Sequence, residues 1–135
     1  FWDYDHEDLA APYGQVGYLD FLHRKRGKLG VAVVGVAVDP AFGDPDARGK
    51  AARSARSLAE FMNLDYPLAA DDGTLLHAFG DPRPLGARLP LWVVIDADGV
   101  VRSYRAGLYE MEPNEGLKEL DAIVVDLIRR RRPNE

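Results

Sequence analysis

An unbroken apolar run, Val31–Val38, constrains the fold of this chain more than any other feature. The run is mostly valine and stops at Asp39-Pro40. A continuous β-branched segment of this kind is typical of a parallel strand that is covered on both faces of a sheet. Parallel strands need crossover connections, usually helices, so the run predicts an α/β domain.

The rest of the chain alternates between helix and strand patterns. Helices are predicted over 8–27, 47–63 and 115–132, with a short one that follows Asp71-Asp72-Gly73-Thr74 and ends at Phe79; further strands are predicted over 66–70, 91–95 and 100–105. The last two strands are joined by the turn Asp96-Ala-Asp-Gly99, whose residues are typical of a β-hairpin turn. Leu58, Phe61 and Met62 form the predicted apolar stripe of the second helix. The alternation predicts one three-layer α/β domain over residues 1–135.

Composition excludes several classes of function. The 135 residues contain no cysteine, which rules out disulfides, thiolate catalysis and thiolate metal sites in this chain. A net charge of −5 gives no electrostatic reason to expect nucleic-acid binding. No stretch approaches the roughly 20 apolar residues of a membrane span. Membrane contact is therefore expected only through an upstream segment or through the basic run Arg129–Arg132, whose simplest interpretation is a solvated helix end.

Other catalytic chemistries have little support. His6 lies among carboxylates that could ligate a metal (Asp3, Asp5, Glu7, Asp8), but no HxH or HExxH spacing accompanies it. No serine stands in a Gly-x-Ser-x-Gly elbow, and no glycines match a phosphate-binding loop. Paired carboxylates occur in turns, and Trp2 and Trp92 have the pattern of core aromatics. We therefore expect no cofactor and no metal, with an enzyme or metal protein built on His6 as a minor alternative.

Four segments occur in the order used by one known superfamily. They are Phe1-Trp2-Asp3-Tyr4; Val33-Val-Gly-Val36; Tyr66-Pro67 through Gly73; and Leu89-Pro90-Leu-Trp-Val-Val-Ile95-Asp-Ala-Asp-Gly99. Together they resemble the thioredoxin-like superfamily, and within it the TlpA/ResA-type and redoxin branches. The resemblance implies a thioredoxin-like three-layer sandwich, with a central mixed sheet flanked by helices. It also implies that an N-terminal strand or upstream segment precedes Phe1 in the full protein.

The resemblance also locates the family's functional positions in this chain. Pro90 would be the family's cis-proline, leaving the backbone of Leu89 free to pair with an extended partner peptide. The redox pair would fall on His6 and Leu9 when counted from Trp2, or on Leu9 and Pro12 when counted back from the helix. Neither register supplies a thiol. The segment between Gly80 and Leu89 is longer than the usual family loop and would lie beside the cis-proline groove.

These observations predict a redox-inactive domain with no catalytic residues. It would bind a protein partner, as an accessory subunit or as a module of a larger complex. The alternative is membership of a thiol-disulfide oxidoreductase or peroxiredoxin-like family, with catalytic cysteines that lie elsewhere or have been lost. TlpA-like relatives are mostly extracytoplasmic, so the resemblance favours a periplasmic or other extracytoplasmic location.

Overall fold

The computed structural model of this protein describes residues 1–3, 10–109 and 117–131. Within them the chain is mixed α/β. In chain order the elements are β1 (Trp2–Asp3), α1 (Ala10–Gly27), β2 (Gly35–Val38), α2 (Arg48–Met62), β3 (Leu68–Asp71), α3 (Thr74–Phe79), β4 (Leu91–Ile95), β5 (Val101–Ala106) and α4 (Lys118–Arg131). The alternation predicted from the sequence is confirmed, with several boundaries moved by two to four residues.

The strands form one parallel and one antiparallel group. The parallel sheet has the order β1-β2-β3, and β2 is its central strand. Trp2 lies opposite Ala37, and Gly35 opposite Leu68. The other group is the hairpin β4-β5, in which Leu91 lies opposite Ala106.

Two hydrogen bonds join the parallel sheet to the hairpin. The Phe1 nitrogen donates to the Leu91 carbonyl at 2.9 Å, and the Leu91 N–H donates to the Phe1 carbonyl at 2.8 Å. Two residues that exchange both bonds form the hydrogen-bonded pair of an antiparallel ladder. The start of β1 therefore lies between β2 on one side and β4 on the other.

Helices pack against both faces of the strands. Val36, Val38 and Leu91 pack with Leu76 of α3 on one face. The opposite face carries two further clusters. Trp2 and Ala37 pack there with side chains from α1 and α2, while Trp92 and Val94 pack with side chains from α1 and α4. Both tryptophans are buried, which confirms their interpretation as core aromatics.

The core imposes a glycine at one position of β2. A Cβ atom at Gly35 would lie 2.7 Å from the nearest ring atom of Trp2 and 2.9 Å from the Tyr66 ring. Separations this short do not occur between unstrained carbon atoms, so the two aromatic rings pack directly on the Gly35 backbone.

Two expectations about apolar segments are wrong. The strand predicted over 31–38 begins only at Gly35, because residues 31–34 find no partner strand within the described part of the chain. Phe61 does not join the buried stripe of α2, and 86% of it is exposed. The helix buries Ala51 and Ala55 instead, since small side chains let it pack closely on the sheet.

Candidate partner-binding groove

The predicted redox positions are only partly described. His6 and Leu9 lie outside the described residues. Pro12 lies in the first turn of α1. A proline is tolerated there because the first N–H groups of a helix have no acceptor within the helix.

The Leu89–Pro90 peptide bond is cis, as the resemblance implies for Pro90. The Pro90 carbonyl accepts the Gly107 N–H at 2.8 Å, which fixes the start of β4 to the chain that leaves β5. The Leu89 side chain packs against the cluster that contains Leu76 and Leu91. The two residues of the cis bond are therefore anchored in different ways, Leu89 by its side chain and Pro90 by its carbonyl.

The backbone of Leu89 differs from that of Pro90 in its hydrogen bonding. Its N–H and C=O make no hydrogen bond to any residue in the described ranges. The residue as a whole is only partly buried. An extended peptide laid beside Leu89 could therefore exchange backbone hydrogen bonds with it, as in strand addition.

The loop between Gly80 and Leu89 is ordered by an aspartate and an arginine two residues apart. Asp81 accepts the Arg83 backbone N–H at 3.0 Å and both Nε and Nη2 of the Arg83 side chain, the latter at 2.8 Å. The Tyr104 hydroxyl of β5 donates to the Gly80 carbonyl. These contacts fix the loop at its first turn.

The contact between Asp81 and Arg83 shifts the pKa of both side chains. The hydrogen bond from Arg83 holds the pKa of Asp81 below its usual value, and the same bond raises the pKa of Arg83. The charge of Asp3, on β1, raises the pKa of Arg83 further. The Arg83 guanidinium is therefore near enough to the Asp3 carboxylate for the two charges to interact.

An exposed apolar side chain lies at the tip of this loop. Leu85 is the last residue of the short 3-10 turn Arg83–Leu85 and is 90% exposed. Gly86 follows in the left-handed conformation at φ +86°, which ends the turn. The loop and the residue after it thus present two features: an exposed apolar side chain at Leu85 and, among the described residues, a backbone without hydrogen-bond partners at Leu89.

The turn carboxylates have structural roles, as predicted. The buried Asp71 carboxylate accepts the N–H groups of Leu75 and Leu76 at 3.0 and 2.9 Å and so caps α3. Asp72 accepts from both the backbone and the hydroxyl of Thr74, and these bonds lower the pKa of Asp72. The hydrogen bond from Arg102 lowers the pKa of Asp96.

Two contacts were not predicted. The first is the Asp81–Arg83 pair; the Asp-Pro-Arg-Pro sequence signals a turn, but not the direction of the arginine. The second is the buried side chain of Gln15. It donates to the Tyr109 carbonyl at 2.8 Å and accepts the Tyr109 N–H at 3.2 Å, which ties α1 to the segment after β5. No sequence pattern distinguishes this glutamine from a surface one.

Within residues 1–3, 10–109 and 117–131, no three His, Asp or Glu side chains come together as metal ligands would. None of the helices in those ranges combines the length and apolar character needed to cross a bilayer.

Comparisons of the chain with protein-family models, with curated proteins and with solved structures each returned no match.

Proposed function

We propose that this chain is a thioredoxin-like domain that performs no thiol chemistry and binds a protein partner at the groove beside Leu89. The observation that carries the proposal is the backbone of Leu89, which has no hydrogen-bond partner among the described residues and follows the loop that carries the exposed Leu85. Backbone hydrogen bonds to Leu89 would give affinity for an extended segment, and an apolar side chain of that segment would cover Leu85.

The order of the elements supports the fold in this proposal. The Phe1–Leu91 pair aligns the five strands in the order β3-β2-β1-β4-β5, with β4 antiparallel to its neighbours. Helices α1, α2 and α4 contact one face and α3 the other. This arrangement supports the proposal of a three-layer thioredoxin-like sandwich.

The composition supports the absence of redox chemistry. Disulfide exchange and peroxide reduction by this superfamily proceed through a thiolate, and the chain contains no cysteine. The positions that would carry the pair are His6 with Leu9, or Leu9 with Pro12. In this proposal the fold provides a surface for binding a partner and carries no redox site.

The test compares two exposed apolar residues. The tagged parent protein is purified from its source as wild type, as Leu85→Glu and as Phe61→Glu. Leu85 and Phe61 are 90% and 86% exposed, so neither substitution disturbs the core. Because Leu85 lies in the loop before Leu89 and Phe61 lies on α2, we expect recovery of the co-purifying partner to fall about tenfold with Leu85→Glu alone.

Two results would contradict the proposal. One is equal partner recovery from both variants, which would place the interface elsewhere. The other is a parent protein that purifies alone and monomeric. Insulin-reduction and peroxide-consumption assays on the isolated chain check the redox part, since thiol-dependent turnover would exclude a redox-inactive domain.

A further inference from the structure

A histidine side chain holds the segment that leads into β2. His23 lies in α1, and its Nδ1 accepts the Val33 N–H at 3.3 Å. The His23 ring also lies edge-on to the ring of Tyr66, with 6.3 Å between the ring centroids. Tyr66 is buried and His23 is partly buried. The imidazole therefore connects α1 to the chain just before the central strand of the parallel sheet.

This hydrogen bond lies where the ladder between β2 and β3 ends. The Gly35 N–H donates to the Pro67 carbonyl at 3.0 Å. Val33 and Ala37 pack in the same cluster, as alternate residues of one extended run do, so the Val33 N–H points to the same side as that of Gly35. Pro67 has no N–H to donate to the Val33 carbonyl, and the ladder stops there. The His23 ring supplies the acceptor that a longer β3 would have supplied.

The bond to Val33 requires a neutral imidazole. A ring nitrogen that accepts a hydrogen bond carries no proton, so the proton of the neutral His23 ring is on Nε2. The imidazolium carries a proton on both nitrogens and cannot accept. Protonation of His23 therefore removes the acceptor of the Val33 N–H, while the Val31 N–H keeps its bond to the Arg26 carbonyl at 3.3 Å.

The ionisable neighbours of His23 on α1 lie one turn away in each direction. Arg26, three residues later, is paired with Asp121 of α4 at 3.1 Å. Asp20, three residues earlier, is 9% exposed. Side chains three residues apart on a helix are neighbours, so the Asp20 carboxylate is within reach of a His23 ring that has released Val33.

The segment packed against the His23 ring adds two further groups, Asp65 and Tyr66. Asp20 accepts the Asp65 N–H at 2.6 Å, and Arg24 pairs with both carboxylates at 2.8 Å. Two carboxylates and one guanidinium give this cluster one net negative charge, which attracts an imidazolium. Burial raises the pKa of Tyr66, so its hydroxyl stays neutral throughout the range in which histidine titrates.

We propose that His23 is a pH-sensitive clasp on residues 31–34. The neutral ring binds the Val33 N–H and holds the segment, whereas the imidazolium turns to the Asp20 carboxylate and releases it. The segment responds locally because it has no partner strand in the described ranges. Acidification therefore loosens the entry to the central strand, and this inference is independent of partner binding at Leu89.

The test follows amide hydrogen exchange in the 135-residue chain at about pH 8 and about pH 5, which bracket histidine titration. Rates are corrected for the intrinsic pH dependence of exchange and expressed as protection factors. Val31 is the internal reference, because its acceptor is a carbonyl. In His23→Asn the Oδ1 atom takes the position of Nδ1 and accepts at both pH values. His77→Gln, at an exposed histidine of α3, is the matched control.

We expect protection of the Val33 amide to fall at least about tenfold from the higher to the lower pH in the wild type and in His77→Gln. Protection of Val31 should change little in either chain. In His23→Asn the Val33 protection should be the same at both pH values. An equal fall in His23→Asn, or no fall in the wild type, would overturn the proposal.

A measurement on the wild type alone covers the case of a variant that does not fold. Long-range ¹H–¹⁵N spectra identify which ring nitrogen of His23 carries the proton. We expect the Nε2–H tautomer at about pH 8, and a ring titration whose midpoint coincides with the loss of Val33 protection. A dominant Nδ1–H tautomer, or midpoints more than about one pH unit apart, would exclude the clasp.

Discussion

The parallel sheet β1–β3 and the hairpin β4-β5 each bury a tryptophan, and they hold it in different ways. Trp92 donates its indole N–H to the Gly107 carbonyl at 2.8 Å. Trp2 is equally buried, but its indole N–H has no partner in the described structure, and its ring packs directly on Gly35. The tryptophan of the hairpin is thus held by a hydrogen bond in addition to packing, whereas that of the parallel sheet depends on packing alone among the described residues.

The largest expected effect is on the packing of the parallel sheet. Gly35→Ala places a methyl group against the Trp2 and Tyr66 rings, so it should lower the free energy of unfolding by about 3 kcal/mol. Gly99→Ala in the hairpin turn is the matched control. It has open space around it and a φ of +82°, which costs about 1 kcal/mol. Urea unfolding measures both, and an equal or larger loss at Gly99 would contradict the comparison.

The next largest effect concerns the junction between the parallel sheet and the hairpin, where Phe1 pairs with Leu91. Burial lowers the pKa of the Phe1 amino group from 8.0 to about 6, so the folded 135-residue chain disfavours the charged form. Its free energy of unfolding should therefore rise between about pH 6 and pH 8, and below pH 6 the full penalty of about 2 to 3 kcal/mol is present.

Acetylating that amino group isolates the effect, because the acetylated nitrogen keeps one N–H for Leu91 and has no charge. The acetylated chain should be more stable than the free amine at pH 5, and the difference should shrink by pH 9. A difference that is the same at both pH values would show that the Phe1 amine does not titrate in this way.

A smaller difference is expected between the two tryptophans themselves. Trp92→Phe leaves the Gly107 carbonyl without its donor, whereas Trp2→Phe removes an N–H that bonds to nothing in the described structure. Beyond the similar loss of ring volume, Trp92→Phe should cost about 1 to 2 kcal/mol more in thermal or urea unfolding. The reverse order would mean that the Trp2 N–H is satisfied in solution.

The smallest effect involves the ion pair between α1 and α4. Arg26 binds Asp121 through Nε and Nη2 at 3.2 and 3.1 Å, and both side chains are largely buried. A double-mutant cycle should give a coupling of about 1 kcal/mol for this pair. The exposed pair Arg130–Asp126 on α4 is the control, with an expected coupling of about 0.3 kcal/mol. Equal couplings would show that burial does not strengthen the first pair.

Elements with strong local signals were predictable from the sequence. The strand Leu91–Ile95 is confirmed to the residue, because Pro90 and the turn after Asp96 bound it on both sides. Segments that form a strand only beside a neighbouring strand were not predictable. Residues 31–34 have the composition of a strand, but pairing begins only at Gly35, which lies opposite Leu68 of β3.

The candidate groove shows the same limit. The cis bond at Pro90 came from a resemblance over a whole block of sequence, and it is confirmed. The exposure of Leu85 and the orientation of Arg83 depend on how one loop turns, which no periodic pattern encodes. The predictions on His6 and Leu9 concern residues outside the described part of the chain, and they stay predictions.

Both ends of the loop before Pro90 are attached to the same part of the molecule. The Gly80 carbonyl accepts the Tyr104 hydroxyl, and the Pro90 carbonyl accepts the Gly107 N–H, so β5 and the residue after it hold the loop at entry and exit. The intervening residues 81–88 contribute only Pro82 to the buried interior. This makes the loop an exchangeable cassette: a foreign recognition sequence grafted between Gly80 and Leu89 would be displayed at a constant position on an unchanged scaffold.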